Sequence, residues 1–155
     1  MADKTAIITS LQAGVVALWT LATEYHLVKK ILKHKSLKSL AGVADDFGEQ
    51  AEGGSAKLIH QILFLGGKPE IASDKVVDIY PTLSAIFESL KVKEDALCSL
   101  MNDQYAQMLA EKDADTAHDV KNILHHSEER IDWLQRQLDK ISELGDVNYQ
   151  TAKLS

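Results

Sequence analysis

Apolar residues recur every three or four positions along most of this chain, the pattern of helices that bury one face. A first helix is expected from about Thr5 to Lys33, with Leu11, Val15, Leu18, Ala22, Tyr25 and Leu32 on its stripe. Ser36 is a suitable N-cap for a second helix, whose stripe is Leu40, Ala44, Phe47, Ala51, Gly54, Leu58, Ile62 and Leu65. Gly66 and Gly67 then stop it. A third helix spans about Thr82 to Glu111, with Leu83, Phe87, Leu90, Glu94, Leu97, Met101, Tyr105 and Met108 in register. Asp113 or Asp115 caps a fourth, marked by Val120, Leu124, Ser127, Ile131, Leu134, Leu138 and Ile141. Gly145 ends the fourth, and Asp146 caps a short fifth helix to about Lys153.

The stretch from Lys68 to Pro81 holds both prolines and no helical period. It is long enough to run from one end of a bundle to the other. Two short connections and one long crossover therefore predict an all-α fold: a four-helix bundle with the crossover between the second and third helices. No segment alternates apolar and polar residues as a half-buried strand does. A length of 155 residues suits a single domain over residues 1–155.

Composition narrows the function classes. The net charge of −6 argues against a general nucleic-acid binder, which would be basic. No apolar run is read as long enough to span a bilayer. Met1-Ala2-Asp3-Lys4 leads straight into the first helical pattern, without the apolar core of a signal peptide. Cys98 stands alone, so no internal disulfide is possible and a cytoplasmic location is expected. The lysines at 29, 30, 33, 35 and 38 read as a solvated corner at the first helix connection.

The chemistry lies in what interrupts the stripes. Glu94 falls on the apolar face of the third helix, with Leu90 and Leu97 one turn to either side. A buried carboxylate needs a cation, a metal or a proton. Ser127 breaks the fourth stripe, and Arg130 follows on its edge. Ala51 and Gly54 leave the second stripe small at mid-height, and Gly53-Gly54 costs helix stability. Two readings follow: a structural ion pair between Glu94 and Arg130, or a metal held by Glu94. A di-iron bundle needs a Glu from each of two helices and Glu-x-x-His from each of the others. This chain has no Glu-x-x-His, and its histidines, at 26, 34, 60, 118, 125 and 126, lie off the core stripes.

Several runs carry a family likeness. Leu58-Ile59-His60-Gln61-Ile62-Leu63-Phe64-Leu65-Gly66-Gly67-Lys68-Pro69 resembles the end of the second helix in bacterioferritins. Arg130-Ile131-Asp132-Trp133-Leu134, followed by Gln137-Leu138-Asp139 and Ile141, resembles the family's fourth helix. Gly145-Asp146-Val147-Asn148-Tyr149 resembles its fifth, and Tyr25 falls on a tyrosine the family carries. The similarity covers nearly the whole chain without gaps between these runs. The resemblance implies a ferritin-like bundle, a cage of twenty-four subunits around an iron mineral, and a fifth helix at the four-fold axis. Asn148 and Thr151 would then face a channel.

The departures from the family pattern are informative. Its six di-iron ligands fall on Leu18, Ala51, Gly54, Glu94, Ser127 and Arg130, and only Glu94 is retained. The resemblance therefore implies a subunit without the family's iron-oxidising centre, with the Arg130 guanidinium in place of metal charge. The family's haem-ligating methionine falls on Glu52, so a symmetric bis-methionine haem b is not expected. Trp19 and His26 fall near that haem pocket, and His26 is an alternative axial ligand. Gly53 and Ser55 would make room if a partner subunit supplied a single methionine.

Three function classes compete. The leading one is a non-catalytic iron-storage cage subunit that co-assembles with a catalytic bacterioferritin subunit. In it, Asp45, Asp46 and Glu49 would form an inner surface that collects iron. The second is a redox protein with a rebuilt metal site drawn from Asp115, His118, His125, His126 and Glu129. The third is a helical interaction module with no iron role.

Overall fold

The computed structural model describes residues 4–74 and 80–154. Five α-helices follow in order: α1 Lys4–His34, α2 Lys38–Phe64, α3 Leu83–Ala110, α4 Ala114–Leu144 and α5 Asp146–Lys153. No strand occurs among the described residues. The first four form the bundle that the periodicity predicts, and α5 packs on the end of α4 and α3.

Cross-helix bonds fix the directions. Glu24 of α1 meets Ser89 of α3, and Ser10 meets Gln104, so α1 and α3 run antiparallel. Gln50 of α2 meets His126 of α4, and Gln61 meets Asp119, which makes that pair antiparallel too. With α1–α2 and α3–α4 as hairpins, the order is up, down, down, up. The crossover tracks along α1 to make this possible. Gln12 Nε2 donates to the Glu70 carbonyl while Gln12 Oε1 accepts from the Glu70 amide, and the Asp74 amide donates to Thr20 Oγ1. Tyr80 reaches Glu24 at the far end.

Helix ends correct two expectations. Ser36 does not cap α2. It adopts φ 62° as the residue that closes α1, its amide bonded to the Lys33 carbonyl and the Leu37 amide to that of Leu32. This is a Schellman closure, which buries the residue after the left-handed position; Leu37 is fully buried and becomes the α2 N-cap without a side-chain bond. Gly66 at φ 83° and Lys112 at φ 59° end α2 and α3 in the same way. Asp113 then caps α4 by accepting from the Thr116 amide. Asp146 does not cap α5, because Gly145 at φ 81° takes the N-cap place and Asp146 falls in the first turn.

The core is continuous along the bundle. A chain of edge-to-face rings joins all five helices near one end: Tyr25 with Phe47, Phe47 with Trp133, Trp133 with Phe87, and Phe87 with Tyr149. Tyr149 also donates to buried Gln137 at 2.7 Å, which docks α5. Contrary to the sequence expectation, α1 contains an 18-residue stretch of mean hydropathy 1.6, apolar enough in length and composition to cross a membrane. In the fold its apolar residues (Ile7, Leu11, Val15, Leu18, Leu21 and Val28) form the core instead.

Candidate functional site at the bundle centre

Glu94 is fully buried at the centre of the bundle. Four donors meet its two oxygens. Tyr25 Oη from α1 donates to Oε2 at 2.6 Å, and Arg130 Nε from α4 donates to the same oxygen at 2.5 Å. Arg130 Nη2 donates to Oε1 at 3.0 Å, and Ser127 Oγ donates there at 2.9 Å. A carboxylate has about four lone-pair sites, so this one is saturated. The Arg130 pair is bidentate, the geometry that suits a guanidinium to a buried carboxylate. Both side chains are at most 2% exposed.

The electrostatics agree with this geometry. Burial alone would lower the Arg130 pKa, but the hydrogen bonds and charge of Glu94 outweigh it and raise the value. Burial raises the Tyr25 phenol well above its ordinary range, and the Glu94 charge adds to this. Tyr25 is therefore a proton donor to Glu94 and not a phenolate. Beside them, burial raises the Cys98 thiol, which donates to Ser127 Oγ at 3.4 Å.

The other positions implied by the resemblance surround this cluster. Leu18 and Ala51 are buried and apolar, and Gly54 is half-buried against Leu18 and Ile123. Small and apolar side chains here can coordinate nothing. Arg130 Nη1 reaches outward to Gln50 Oε1 at 2.8 Å, and Gln50 Nε2 contacts His126 Nδ1 at 3.0 Å.

The structure separates several residues that the sequence reading grouped. His26 Nε2 and Glu52 Oε1 lie 2.7 Å apart and occupy each other, both over a third exposed. Trp19 is half-buried, its Nε1 without a hydrogen-bond partner among the described residues. Ser55 is buried and donates to the Glu52 carbonyl. Gly53 lines a cavity toward α4 with Gly54. The carboxylate and the imidazole of this set pair with each other, so neither stands free as a ligand to a haem iron.

Asp45 also leaves its expected group. It turns to Lys29 of α1 at 2.8 Å, and that bond lowers its pKa. Asp46 and Glu49 stay exposed. His125 pairs with Glu129 at 2.7 Å along α4, His118 contacts Asn122, and His126 contacts Gln50, so these groups do not converge. Among the described residues no three His, Cys, Asp or Glu side chains cluster as a metal site. Asn148 and Thr151 are exposed on α5, bonded to the Leu144 and Val147 carbonyls of the preceding turn.

Sequence reasoning missed a second buried carboxylate. Glu24 of α1 has no exposure. Its Oε1 accepts from Tyr80 at 2.5 Å and from Ser89 at 2.8 Å. Lys93 Nζ lies 2.8 Å from Oε2 as a charge pair, without an aligned hydrogen bond. The signal was present: Leu21 and Val28, one turn to either side of Glu24, are apolar and buried.

A saturated carboxylate at mid-height in an up-down-down-up bundle, with a C-terminal fifth helix, defines an all-α carboxylate bundle protein. Residues 8–144 match the family described as Ferritin-like domain, and the chain belongs to it. The relatives it resembles within that family are bacterioferritins. It is similar to a bacterioferritin of Streptomyces coelicolor, 28% identical over 145 residues that cover 92% of this chain and 86% of the relative. It matches the fold of Rhodobacter capsulatus bacterioferritin, a structure with a metal-free dinuclear site and a haem iron on a crystallographic special position. That match has a TM-score of 0.93 at 18% identity and covers 100% and 97% of the two chains. BfrA from M. tuberculosis gives the same TM-score, 0.93, at 21% identity, covering 100% of this chain and 96% of that one.

Proposed function

We propose that this chain is a cytoplasmic iron-storage cage subunit that builds shell but does not oxidise iron at its bundle centre, and that it co-assembles with a catalytic bacterioferritin subunit. One observation carries the reading: every acceptor position of Glu94 is taken by Tyr25, Ser127 or Arg130. A ferrous ion would have to displace a guanidinium that already neutralises the carboxylate. It would find Leu18, Ala51, Gly54 and Ser127 where further ligands are needed. Family membership and a shared bundle geometry support the cage half of the proposal. Iron is then cargo reaching the cavity of the cage. Asp46 and Glu49 remain the exposed acids for it, with Asp45 withdrawn to Lys29. Asn148 and Thr151 belong to the four-fold channel in the same reading. No haem role is assigned to this chain, given the His26–Glu52 pair.

The test uses the purified chain, freed of iron and mixed with ferrous iron in air. Slow oxidation without a stoichiometric rapid phase is expected, and rapid uptake at two irons per chain would refute the proposal. Native mass spectrometry of the chain with its co-purifying partners should give an assembly of twenty-four subunits of two kinds. A small oligomer of this chain alone removes the cage reading.

A further inference from the structure

The volume left by small residues on α2 is open, and its chemistry differs from that of a cation site. Gly53 and Gly54 carry no side chain there, and a cavity of about 230 Å³ opens between α2 and α4 beside Arg130. A water molecule occupies about 30 Å³ in the liquid, so the cavity admits a small ion with several waters. Lys57, His126 and Arg130 line it together with Gln50 and Asn122, and no carboxylate does. Glu94 lies on the far side of the guanidinium with its oxygens engaged.

Hydrogen-bond direction sharpens this. Gln50 Oε1 accepts from Arg130 Nη1, so the Gln50 amide nitrogen is left to donate to His126 Nδ1. Turning the amide over would set N–H against N–H at Arg130. The imidazole Nδ1 is thereby an acceptor, and a neutral ring carries its proton on Nε2. His126 then presents a donor and no free lone pair. Arginine and lysine have no acceptors at all. Arg130 has five N–H donors, and the bonds to Glu94 and Gln50 use three of them. A cavity with two cationic side chains, Lys57 and Arg130, no acid and its one histidine held as a donor favours an anion.

We propose that this cavity binds a small tetrahedral oxyanion of the phosphate type. The geometry comes from α2 and α4 of one chain, so the site does not depend on cage assembly or on iron oxidation.

Equilibrium dialysis of the iron-free protein against radiolabelled inorganic phosphate tests the site. Saturable uptake of one phosphate per chain is expected. Lys57→Gln should weaken it at least about tenfold, the loss of one charge-assisted contact. Gly53→Glu should abolish it by setting an acid at the cavity. A Cβ at Gly53 meets nothing within 4 Å, so this variant folds, as circular dichroism will verify. Absence of saturable uptake, or unchanged uptake in both variants, overturns the proposal. So does retention of cobalt(II) that is lost in His126→Ala, since that would require a free imidazole lone pair.

Discussion

Two glutamates are fully buried in this bundle, and they are neutralised in different ways. Glu94 is held inside the core by Arg130, whose side chain is 2% exposed. Glu24 is held at the α1–α3 surface by Lys93, whose side chain is 31% exposed. The first cation has no water to fall back on, and the second does. Both glutamates also accept a tyrosine: Tyr25 from inside the bundle, and Tyr80 from the end of the crossover. The contrast separates a centre whose charge must balance internally from a clasp that pins a connection to the bundle wall.

Removing the cation should expose the difference most strongly. Arg130→Met leaves Glu94 buried and unpaired, and the expected loss is about 3–5 kcal/mol. Changing both partners, Glu94→Leu with Arg130→Met, should recover most of it, because a buried pair costs desolvation at both ends. Chemical denaturation of the two variants beside the parent checks this. Equal destabilisation in the single and double variants would mean that the ion pair is not what the centre depends on.

The tyrosines give the next largest contrast. Tyr25→Phe removes a buried donor to a charged acceptor, with an expected loss of about 2 kcal/mol. Tyr80→Phe should cost less, since Ser89 and Lys93 continue to serve Glu24. Its effect should concentrate in faster hydrogen exchange at the start of α3. A larger global loss for Tyr80→Phe than for Tyr25→Phe would invert the assignment of core and clasp.

These two sites were unequally legible in the sequence, for a physical reason. Glu94 stood out because it interrupts a narrow stripe between Leu90 and Leu97, and Arg130 follows Ser127 on the facing stripe. α1 is buried over a wider arc than one stripe, with Ile7, Leu21 and Val28 added to the expected positions. Glu24 sits on that second row, outside the expected stripe. Ser36 was misplaced because its residue type suits an N-cap, whereas a left-handed φ is set by the burial of Leu37 after it. Asp45 was grouped with its neighbours on the second helix, and Ser55 was placed by the family likeness. Their partners, Lys29 on another helix and the Glu52 carbonyl one turn back, depend on the direction each side chain takes.

Lys93→Met should be nearly silent beside Arg130→Met. Lys93 is about a third exposed, so water can take up part of its place beside the buried Glu24, and about 1 kcal/mol is the expected scale. The loss should shrink further when salt is added to the parent and variant alike, because screening acts on exposed charges. The Arg130→Met loss should barely respond to salt. A Lys93→Met penalty matching that of Arg130→Met, and independent of salt, would place Glu24 in the same electrostatic class as Glu94.

The finest distinction is in the proton on Tyr25. Burial, and then the Glu94 charge, raise its folded pKa above the unfolded value of about 10. Below that pH both states keep the phenol neutral and the full stability is present. Above it the unfolded chain releases the proton while the folded chain retains it, so stability falls as pH rises through the alkaline range. Phenolate absorbance during an alkaline titration should therefore show Tyr25 ionising only as the bundle unfolds. Burial raises Tyr149 as well, so it should behave in the same way. Glu94→Gln removes the charge contribution and leaves burial, which should let Tyr25 ionise at a lower pH than in the parent while leaving Tyr149 unmoved. If Tyr25 titrates at the ordinary pH in the folded parent, the phenol does not face Glu94 in a dry core. The centre would then be as open to water as the clasp at Glu24.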